Sequence, residues 1–366
     1  MIRCSKCILP ETFPAIRFDE EGVCNYCRSH VAARLLDRED ELNALLDRHR
    51  GNGRDPDCIV PYSGGRDSTY VMLRLVRDFG MLPIAVTYDW GMMTHEAQRN
   101  WKATTRALDV EHVIIRADAA RIKRHVRANV LAWLKKPHLG MVPIFMMADK
   151  VMGAHIDRVA RQRGIRLAVK GVGNPYETTT FKTGFMGISE VIPQGNAKDI
   201  SSRARIALLT RYVAEYLRNP AYINRSLASA VASFFAFYVT DVLSQVDWVP
   251  FYHYVRWQED EVLEAIRGEL GWISPEDTIL TWRIDDATAP FYNYLYLSIA
   301  GFTENDTFRS NQIREGVMTR EEALRLAVTE NEPRLEAMRS YLESLGLDYE
   351  MVKANVDDIP KLRSAT

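Results

Sequence analysis

The chain has 366 residues, of which 47% are hydrophobic and 26% are charged. This composition excludes wholesale disorder, and the length predicts two or three domains with sizeable cores. With 47 basic and 48 acidic side chains the net charge is −1, which argues against a protein whose whole surface binds nucleic acid. The first residues do not form a secretory signal, so we expect a cytoplasmic protein.

Four of the five cysteines form two Cys-x-x-Cys pairs with sixteen residues between them: Cys4, Cys7, Cys24 and Cys27. Each pair places two thiolates on one tight turn, and two such turns complete a tetrahedral S4 metal site. Zinc is the predicted ion, an iron–sulfur cluster is the alternative, and a disulfide is disfavoured in the cytoplasm. Because a closed S4 site has no open position, we expect it to stabilise residues 1–50, a zinc ribbon and a linker helix, rather than do chemistry.

A helical pattern over residues 30–50 ends at a Gly51-Asn52-Gly53 break, after which strand-like and helix-like segments alternate. The predicted strands cover residues 58–62, 82–88, 112–116 and 165–172. The predicted helices cover residues 67–79, 95–108, 119–134 and 146–163. Such alternation predicts an α/β domain over residues 54–195, with a Rossmann-like parallel sheet and helices on both faces.

The sequence pattern over residues 196–366 predicts a mostly helical region. We expect this region to complete the sheet and the substrate site. Helices are predicted over residues 197–218, 223–244 and 259–270, and a last strand over residues 246–254. A capping box begins at Thr319. The uncharged run over residues 226–240 favours a buried helix over contact with a membrane, because it is short for a membrane span.

The strongest signal is a glycine-bearing turn between the first strand of the α/β domain and its helix, Ser63-Gly64-Gly65-Arg66-Asp67-Ser68. Two glycines let the backbone approach a phosphate, while amides at the helix start and two serine hydroxyls donate to it. Asp67 either caps the helix or holds a Mg²⁺ ion, and Arg66 faces phosphate or solvent. The turn therefore predicts a site for nucleotide phosphates.

This run resembles the SGGxDS signature of the PP-loop ATP pyrophosphatases, and it matches neither the Walker A nor the GxGxxG pattern. With two cysteine pairs ahead of the loop, the chain resembles the ATP-dependent N-acetyl sugar amidotransferases of surface-polysaccharide biosynthesis. Further matches to that family are Asp89, Asn100, Lys170-Gly171, Gly173-Asn174, Gly271-Trp272 and residues 311–323. One departure is that the family has Gly-Glu-Asn after the fourth strand, where this chain has Gly171-Val172-Gly173-Asn174 with Glu177 displaced.

The resemblance implies a ligase that uses ATP and Mg²⁺ to adenylate the acetamido oxygen of a sugar or nucleotide sugar. Ammonia then displaces AMP to give an amidine. The implied nucleotide-binding residues are the six of the loop together with Gly171, Gly173 and Asn174. The implied catalytic residues are Asp67, Lys170 and Asp89. Lys170 would stabilise charge at the α-phosphate or lie on the surface, and Asp89 would hold the metal or the ribose or merely cap its strand.

No cysteine suits a glutaminase, because residue 2 is Ile and Cys58 lies on a predicted strand without a nucleophile-elbow context. A separate glutamine amidotransferase is the expected ammonia source, and free ammonia is the alternative. Two rival functions remain: a PP-loop sulfur transferase acting on tRNA or a small molecule, and a non-catalytic nucleotide-binding protein. A lone Cys58 disfavours a two-cysteine sulfur relay, and the basic run over residues 121–127 is more often a solvated face than an RNA contact.

Overall fold

The computed structural model describes residues 1–31, 38–172, 174, 176–178, 180–188, 201–229, 231–232 and 244–362. Within these residues, five parallel strands form one sheet in the order β3–β2–β1–β4–β5. The strands are Cys58–Pro61 (β1), Pro83–Asp89 (β2), His112–Arg116 (β3), Leu167–Lys170 (β4) and Asp247–Pro250 (β5). This sheet confirms the predicted α/β fold. Because the chain moves outward from β1 to β3 and then returns to the other side of β1, the topological switch point lies between β1 and β4.

The helices precede, connect and follow these strands. They are Asn25–Arg28 (α1), Glu39–Asp47 (α2), Arg66–Arg77 (α3), His95–Ala107 (α4), Ala119–Lys135 (α5), Met152–Arg163 (α6), Thr180–Gly184 (α7), Ser202–Arg218 (α8), Glu259–Leu270 (α9), Ala289–Ala300 (α10), Glu304–Arg314 (α11), Arg320–Glu330 (α12), Leu335–Ser344 (α13) and Tyr349–Asp357 (α14). Three further segments are 3₁₀-helical: Leu139–Val151, Pro220–Tyr222 and Phe251–His253.

The central strand β1 is buried on both faces, which is why its sequence is apolar without alternation. Val60 packs in the same cluster as Val71 of α3. On the opposite face, Ile59 packs in a cluster with Ile156 and Val159 of α6. The sheet is therefore covered by helices on both sides, and its strands present only their carboxyl ends to a ligand.

Most predicted elements lie within two residues of the observed ones, and the larger differences at boundaries are these. The helix expected over residues 30–50 is helical only over Glu39–Asp47, and residues 32–37 lie outside the described part of the chain. The helix expected from residue 146 begins at Met152, because the preceding segment, which contains Pro143, is 3₁₀-helical and kinks at Met146. The last strand, expected to reach residue 254, ends at Pro250 and turns into a 3₁₀ segment.

The helix predicted over residues 197–218 is described from Ser202 onward. Of the helix predicted over residues 223–244, residues 226–229 and 231–232 are helical, while residues 230 and 233–243 lie outside the described residues. No helix in the described ranges is both long enough and apolar enough to cross a lipid bilayer.

The amino-terminal ribbon packs against α11, a helix that is buried from Glu304 to Gln312 although most of its residues are polar. Arg3 Nη1 lies 2.5 Å from Asp306 Oδ1, and the backbone N–H of Ile8 donates to Ser310 Oγ at 3.3 Å. Asp306 also completes a capping box with Thr303 at the start of this helix. The ribbon therefore supplies partners for polar groups that α11 buries.

One turn further along, α11 also contributes Arg309 to a chain of buried charges. Arg309 Nη1 lies 2.6 Å from Glu259 Oε2, and the Arg309 guanidinium also pairs with Glu330. The other oxygen of Glu259 lies 2.6 Å from Arg66 Nη1. Although burial raises the pKa of Glu259, the charges of Arg66 and Arg309 dominate and lower it to about 2.

We expect Arg309→Ala to lower the free energy of unfolding by about 3–5 kcal/mol, because two largely buried carboxylates lose a counter-charge. Arg163→Ala is the matched control, since Arg163 pairs with Glu111 at the surface and should cost less than about 1 kcal/mol. Urea denaturation measures both values. Equal losses in the two variants would contradict the structural importance of the buried chain.

Candidate nucleotide site and cysteine cluster

The loop Ser63–Ser68 joins the carboxyl end of β1 to the start of α3, beside the switch point of the sheet. Gly65 is the N-cap residue of α3, and no side chain among the described residues caps this helix. Asp67 is the second residue of the helix, so the prediction that it might cap the helix is wrong. The first amides of α3 therefore lack acceptors within the helix, and they carry the positive end of the helix dipole.

The backbone carbonyls of the loop are hydrogen-bonded to side chains behind it. Trp101 Nε1 donates to the carbonyl of Ser63 at 2.7 Å. Asn100 Nδ2 and Trp272 Nε1 both donate to the carbonyl of Gly64, at 3.1 and 3.0 Å. Because C=O and N–H point in opposite directions across a trans peptide, the amides of Gly64 and Gly65 point away from these three side chains.

Two glycines allow the close backbone approaches that shape the loop. Gly64 has φ +85°, and a Cβ there would lie 2.6 Å from the carbonyl oxygen of Ala97. A Cβ on Gly171, directly after β4, would lie 3.0 Å from Ser68 Cα. The structure thus brings the turn after β4 against the start of α3, as expected for two strands that flank a switch point.

The two serines of the loop lie together. Ser63 Oγ and Ser68 Oγ are 3.3 Å apart, and Ser63 Oγ accepts from the backbone N–H of Gly65 at 3.2 Å. Both hydroxyls therefore lie at the turn with the amides, in keeping with the hydroxyl donors that the sequence suggested.

The Arg66 side chain faces neither phosphate nor solvent, in contrast to the sequence prediction. It is 2% exposed and points into the protein, where it pairs with Glu259 and donates to Thr281 Oγ1 at 2.7 Å. Its guanidinium also lies over the rings of Trp257 and Phe308, at 4.7 and 5.4 Å. Arg66 therefore anchors the start of α3, and only its backbone lies in the loop.

Asp67 is oriented by two aromatic residues that follow β5. Trp257 Nε1 donates to Asp67 Oδ1 at 2.7 Å, and Tyr252 Oη donates to the Asp67 carbonyl at 3.0 Å. The sequence identified Asp67, but it gave no sign of Trp257, because the tryptophan lies 190 residues further along the chain.

Glu177 is a buried acid that the sequence left without a role. Its backbone N–H donates to Asn174 Oδ1, and Asn174 Nδ2 donates to Glu177 Oε1, both at 3.1 Å. Burial, reinforced by the charge of Asp67, raises the pKa of Glu177 to about 8. Asn174 thus holds a buried carboxyl group whose pKa responds to the charge of Asp67.

Asp285 is a second acid beside the loop, and sequence reasoning missed it. A Cβ on Gly65 would lie 3.4 Å from Asp285 Oδ1. Burial raises the pKa of Asp285, and the negative charge of Asp67 adds to the shift, while hydrogen bonding to Ser63 opposes it. The only local signal was two consecutive acids, Asp285 and Asp286, in an otherwise apolar stretch.

The remaining predicted site residues lie at the carboxyl edge of the sheet. Lys170 is the last residue of β4 and is half-buried. Asp89 ends β2, and its Oδ1 accepts from the backbone N–H of Gly91 at 3.0 Å, which fits the strand-capping alternative. Gly173 lies outside the described residues. The catalytic roles of Lys170 and Asp89 stay predictions.

The four ribbon cysteines form one buried group whose sulfur atoms all lie within 4.8 Å of one another. Cys4 Sγ is 4.0 Å from Cys27 Sγ, and Cys7 Sγ is 3.8 Å from Cys24 Sγ. Tetrahedral coordination with metal–sulfur bonds of about 2.3 Å places the sulfur atoms about 3.8 Å apart. The donor set therefore fits a metal ion, and its burial leaves no route for a substrate.

The fifth cysteine does not supply a reactive thiol. Cys58 lies on β1 and is fully buried, and burial raises the pKa of its thiol well above the usual value. All five cysteines belong to the described residues, so the chain holds no exposed thiol beside the loop.

Comparison with known proteins gives only distant likeness. No family model matches the chain, and no curated protein matches it. Among solved structures, it is similar to the U34-tRNA thiolase NcsA from Methanococcus maripaludis with its [4Fe-4S] cluster. The identity is 14% and the TM-score 0.31, over 100% of this chain and 94% of that chain. A likeness this distant carries no argument about function.

We expect Gly64→Ala to destabilise the protein more than Gly53→Ala, by about 2 kcal/mol or more. Both glycines have left-handed φ values, +85° and +75°, so both variants incur backbone strain. Only at Gly64 does the added Cβ meet another backbone, since nothing lies within 4 Å of a Cβ at Gly53. Chemical denaturation gives the two free energies, and similar values would contradict the close approach.

We expect Cys24→Ser to lose bound metal and thermal stability, because three thiolates cannot complete the closed site. Metal content is measured by plasma mass spectrometry after purification, and stability by thermal unfolding. Cys58→Ala is the control, which should retain the metal because Cys58 lies on β1 outside the group. Unchanged metal in Cys24→Ser would contradict the four-sulfur site.

Proposed function

We propose that the protein is an AMP-forming enzyme of the PP-loop type, which cleaves ATP between its α and β phosphates. The observation that carries the proposal is the orientation of the loop Ser63–Ser68. Its carbonyls are engaged by Asn100, Trp101 and Trp272, so its amides point to the opposite side, where the Gly65 N–H donates to Ser63 Oγ. Together with the uncapped start of α3, this side of the loop suits pyrophosphate. The SGGxDS sequence at a switch point supports the same assignment.

We further propose that the group activated by ATP is an amide oxygen, as in an acetamido sugar. The oxygen attacks the α-phosphorus and displaces pyrophosphate, which forms an O-adenylated imidate. Ammonia then adds to the imidate carbon, and the C–O bond breaks to release AMP and leave an amidine. The amide oxygen leaves with AMP, so adenylation turns a poor leaving group into a good one.

The residues around the loop suit these steps. Amide donors and the Mg²⁺ ion that accompanies ATP would stabilise the charge that develops on the departing pyrophosphate. Lys170, one residue before the close approach at Gly171, is the proposed partner of the α-phosphate. Asp67 and Asp285 lie on the two sides of Gly65 and are the proposed carboxylates of the reaction centre.

Nitrogen is favoured over sulfur as the nucleophile by the placement of the cysteines. A thiolating enzyme commonly carries sulfur on an accessible cysteine. In this chain Cys58 is fully buried in the sheet, and the other four cysteines form one buried group. For the same reason we propose that this chain has no glutaminase of its own and that a separate glutamine amidotransferase delivers ammonia.

We assign the cysteine group a structural zinc ion. Cys4, Cys7, Cys24 and Cys27 would hold it, and the chemistry it would supply is folding energy for the ribbon. The ribbon would in turn present Arg3 and the Ile8 amide to α11. No step of the reaction passes through this ion.

Sulfur transfer is a second candidate, favoured by one observation: a group of four cysteines is also the donor set of iron–sulfur clusters. Iron and acid-labile sulfide, with visible absorbance, would favour this candidate. Zinc in a colourless protein would favour the amidine-forming reaction.

The proposal is tested by incubating the protein with ATP, Mg²⁺, ammonia and a panel of acetamido nucleotide sugars. High-resolution mass spectrometry should find a product in which nitrogen replaces oxygen, together with AMP and pyrophosphate. Replacement of oxygen by sulfur, when a sulfur donor is supplied, would instead identify a sulfur transferase. Absence of ATP binding would overturn both candidates.

We expect Asp67→Asn to lower AMP release by about 100-fold or more, because the neutral amide is a poorer ligand than the carboxylate for the Mg²⁺ ion that accompanies ATP. Asp55→Asn is the control, since Asp55 is exposed in the turn before β1 and contacts Asn52. Turnover and circular dichroism are measured together. Equal turnover of the two variants, or a loss of fold in Asp67→Asn alone, would contradict the assigned role.

A further inference from the structure

Helix α8 presents an apolar stripe to solvent. Its four members, with their exposed fractions, are Ile206 at 67%, Leu209 at 47%, Val213 at 51% and Leu217 at 70%. Spacings of three and four residues place all four on one face of the helix. A stripe of large aliphatic side chains in water is unfavourable unless something covers it.

This stripe is not the face by which α8 joins the protein. The core-facing side of the helix carries Ala204, Leu208, Tyr212 and Tyr216, which pack against the hydrophobic clusters of the chain. The helix therefore has one broad apolar sector, of which one part packs within the fold and the adjoining part, the stripe, is exposed.

Exposed apolar side chains are concentrated around this helix. The described residues contain 17 exposed large hydrophobic side chains, and six of them fall within residues 201–232. The two beyond the stripe are Ile223 and Val231. Such a concentration in under a tenth of the chain indicates a contact surface rather than scattered exposure.

The same segment is strongly basic, although the chain as a whole is not. Residues 201–232 contain five arginines and one glutamate, a net charge of +4, against −1 for the whole chain. With about 100° per residue, the exposed Arg203 lies about 40° from one edge of the stripe. An arginine thus borders the apolar stripe.

We propose that this face of α8 binds the surface of an anionic lipid membrane. The four aliphatic side chains enter the headgroup–acyl boundary, and the bordering Arg203 guanidinium contacts a lipid phosphate. A second copy of the chain fits less well, because a two-fold contact through this face brings two segments of charge +4 together. The proposal is independent of the reaction assigned to the nucleotide site.

The test is co-sedimentation of the full chain with vesicles of phosphatidylcholine alone or mixed with phosphatidylglycerol. We expect binding to the mixed vesicles only, and weaker binding as salt is raised. The double variant Ile206→Ser, Leu217→Ser should bind about tenfold more weakly or worse. Arg203→Gln should weaken binding to the mixed vesicles by a smaller factor.

Val328→Ser is the matched control, because Val328 is an exposed valine on α12 and its loss should leave vesicle binding unchanged. Circular dichroism and AMP formation should be the same in all variants, since the altered side chains point to solvent. Equal binding to both kinds of vesicle, no binding to either, or unimpaired binding of the double variant would overturn the proposal. So would a dimer in analytical ultracentrifugation that only the double variant abolishes.

Discussion

The loop after β1 depends on hydrogen bonds that engage its carbonyl groups from behind. Asn100, Trp101 and Trp272 supply these donors, and they come from α4 and from the residue after the C-cap of α9. These three hydrogen bonds fix the orientation of the two peptide planes, so that the amides of Gly64 and Gly65 point away from the three donor side chains. The candidate anion site is therefore a property of the assembled domain, although its sequence signature is only six residues long.

The sequence was sufficient to predict those elements whose structure depends on residues that are neighbours in the chain. The third strand, His112–Arg116, and the helix Glu259–Leu270 have the predicted bounds, since a β-branched run and a clean amphipathic pattern leave few alternatives. The glycine-bearing turn and the cysteine pairs also have the predicted placement. Each of these is set by residues that are neighbours in the chain.

The direction of Arg66 and the presence of Asp285 were not predictable in this way. Arg66 leaves the loop because Glu259 and Thr281 offer it a buried ion pair and a hydrogen bond, from 193 and 215 residues away. Asp285 reaches Gly65 only because the chain returns to the sheet after α9. Sequence spacing carries no information about either contact, whereas the three-dimensional fold determines both.

Helix α11 connects the ribbon to the residues around the loop, because Asp306 pairs with Arg3 and Arg309, one turn later, pairs with Glu259. A chain lacking its first thirty residues would leave the Asp306 carboxylate without Arg3 and bare the apolar cluster around Phe302. The ribbon is thus required for the stability of the rest of the fold. Shortened or fused versions of this protein that omit it are expected to aggregate rather than give a smaller folded protein.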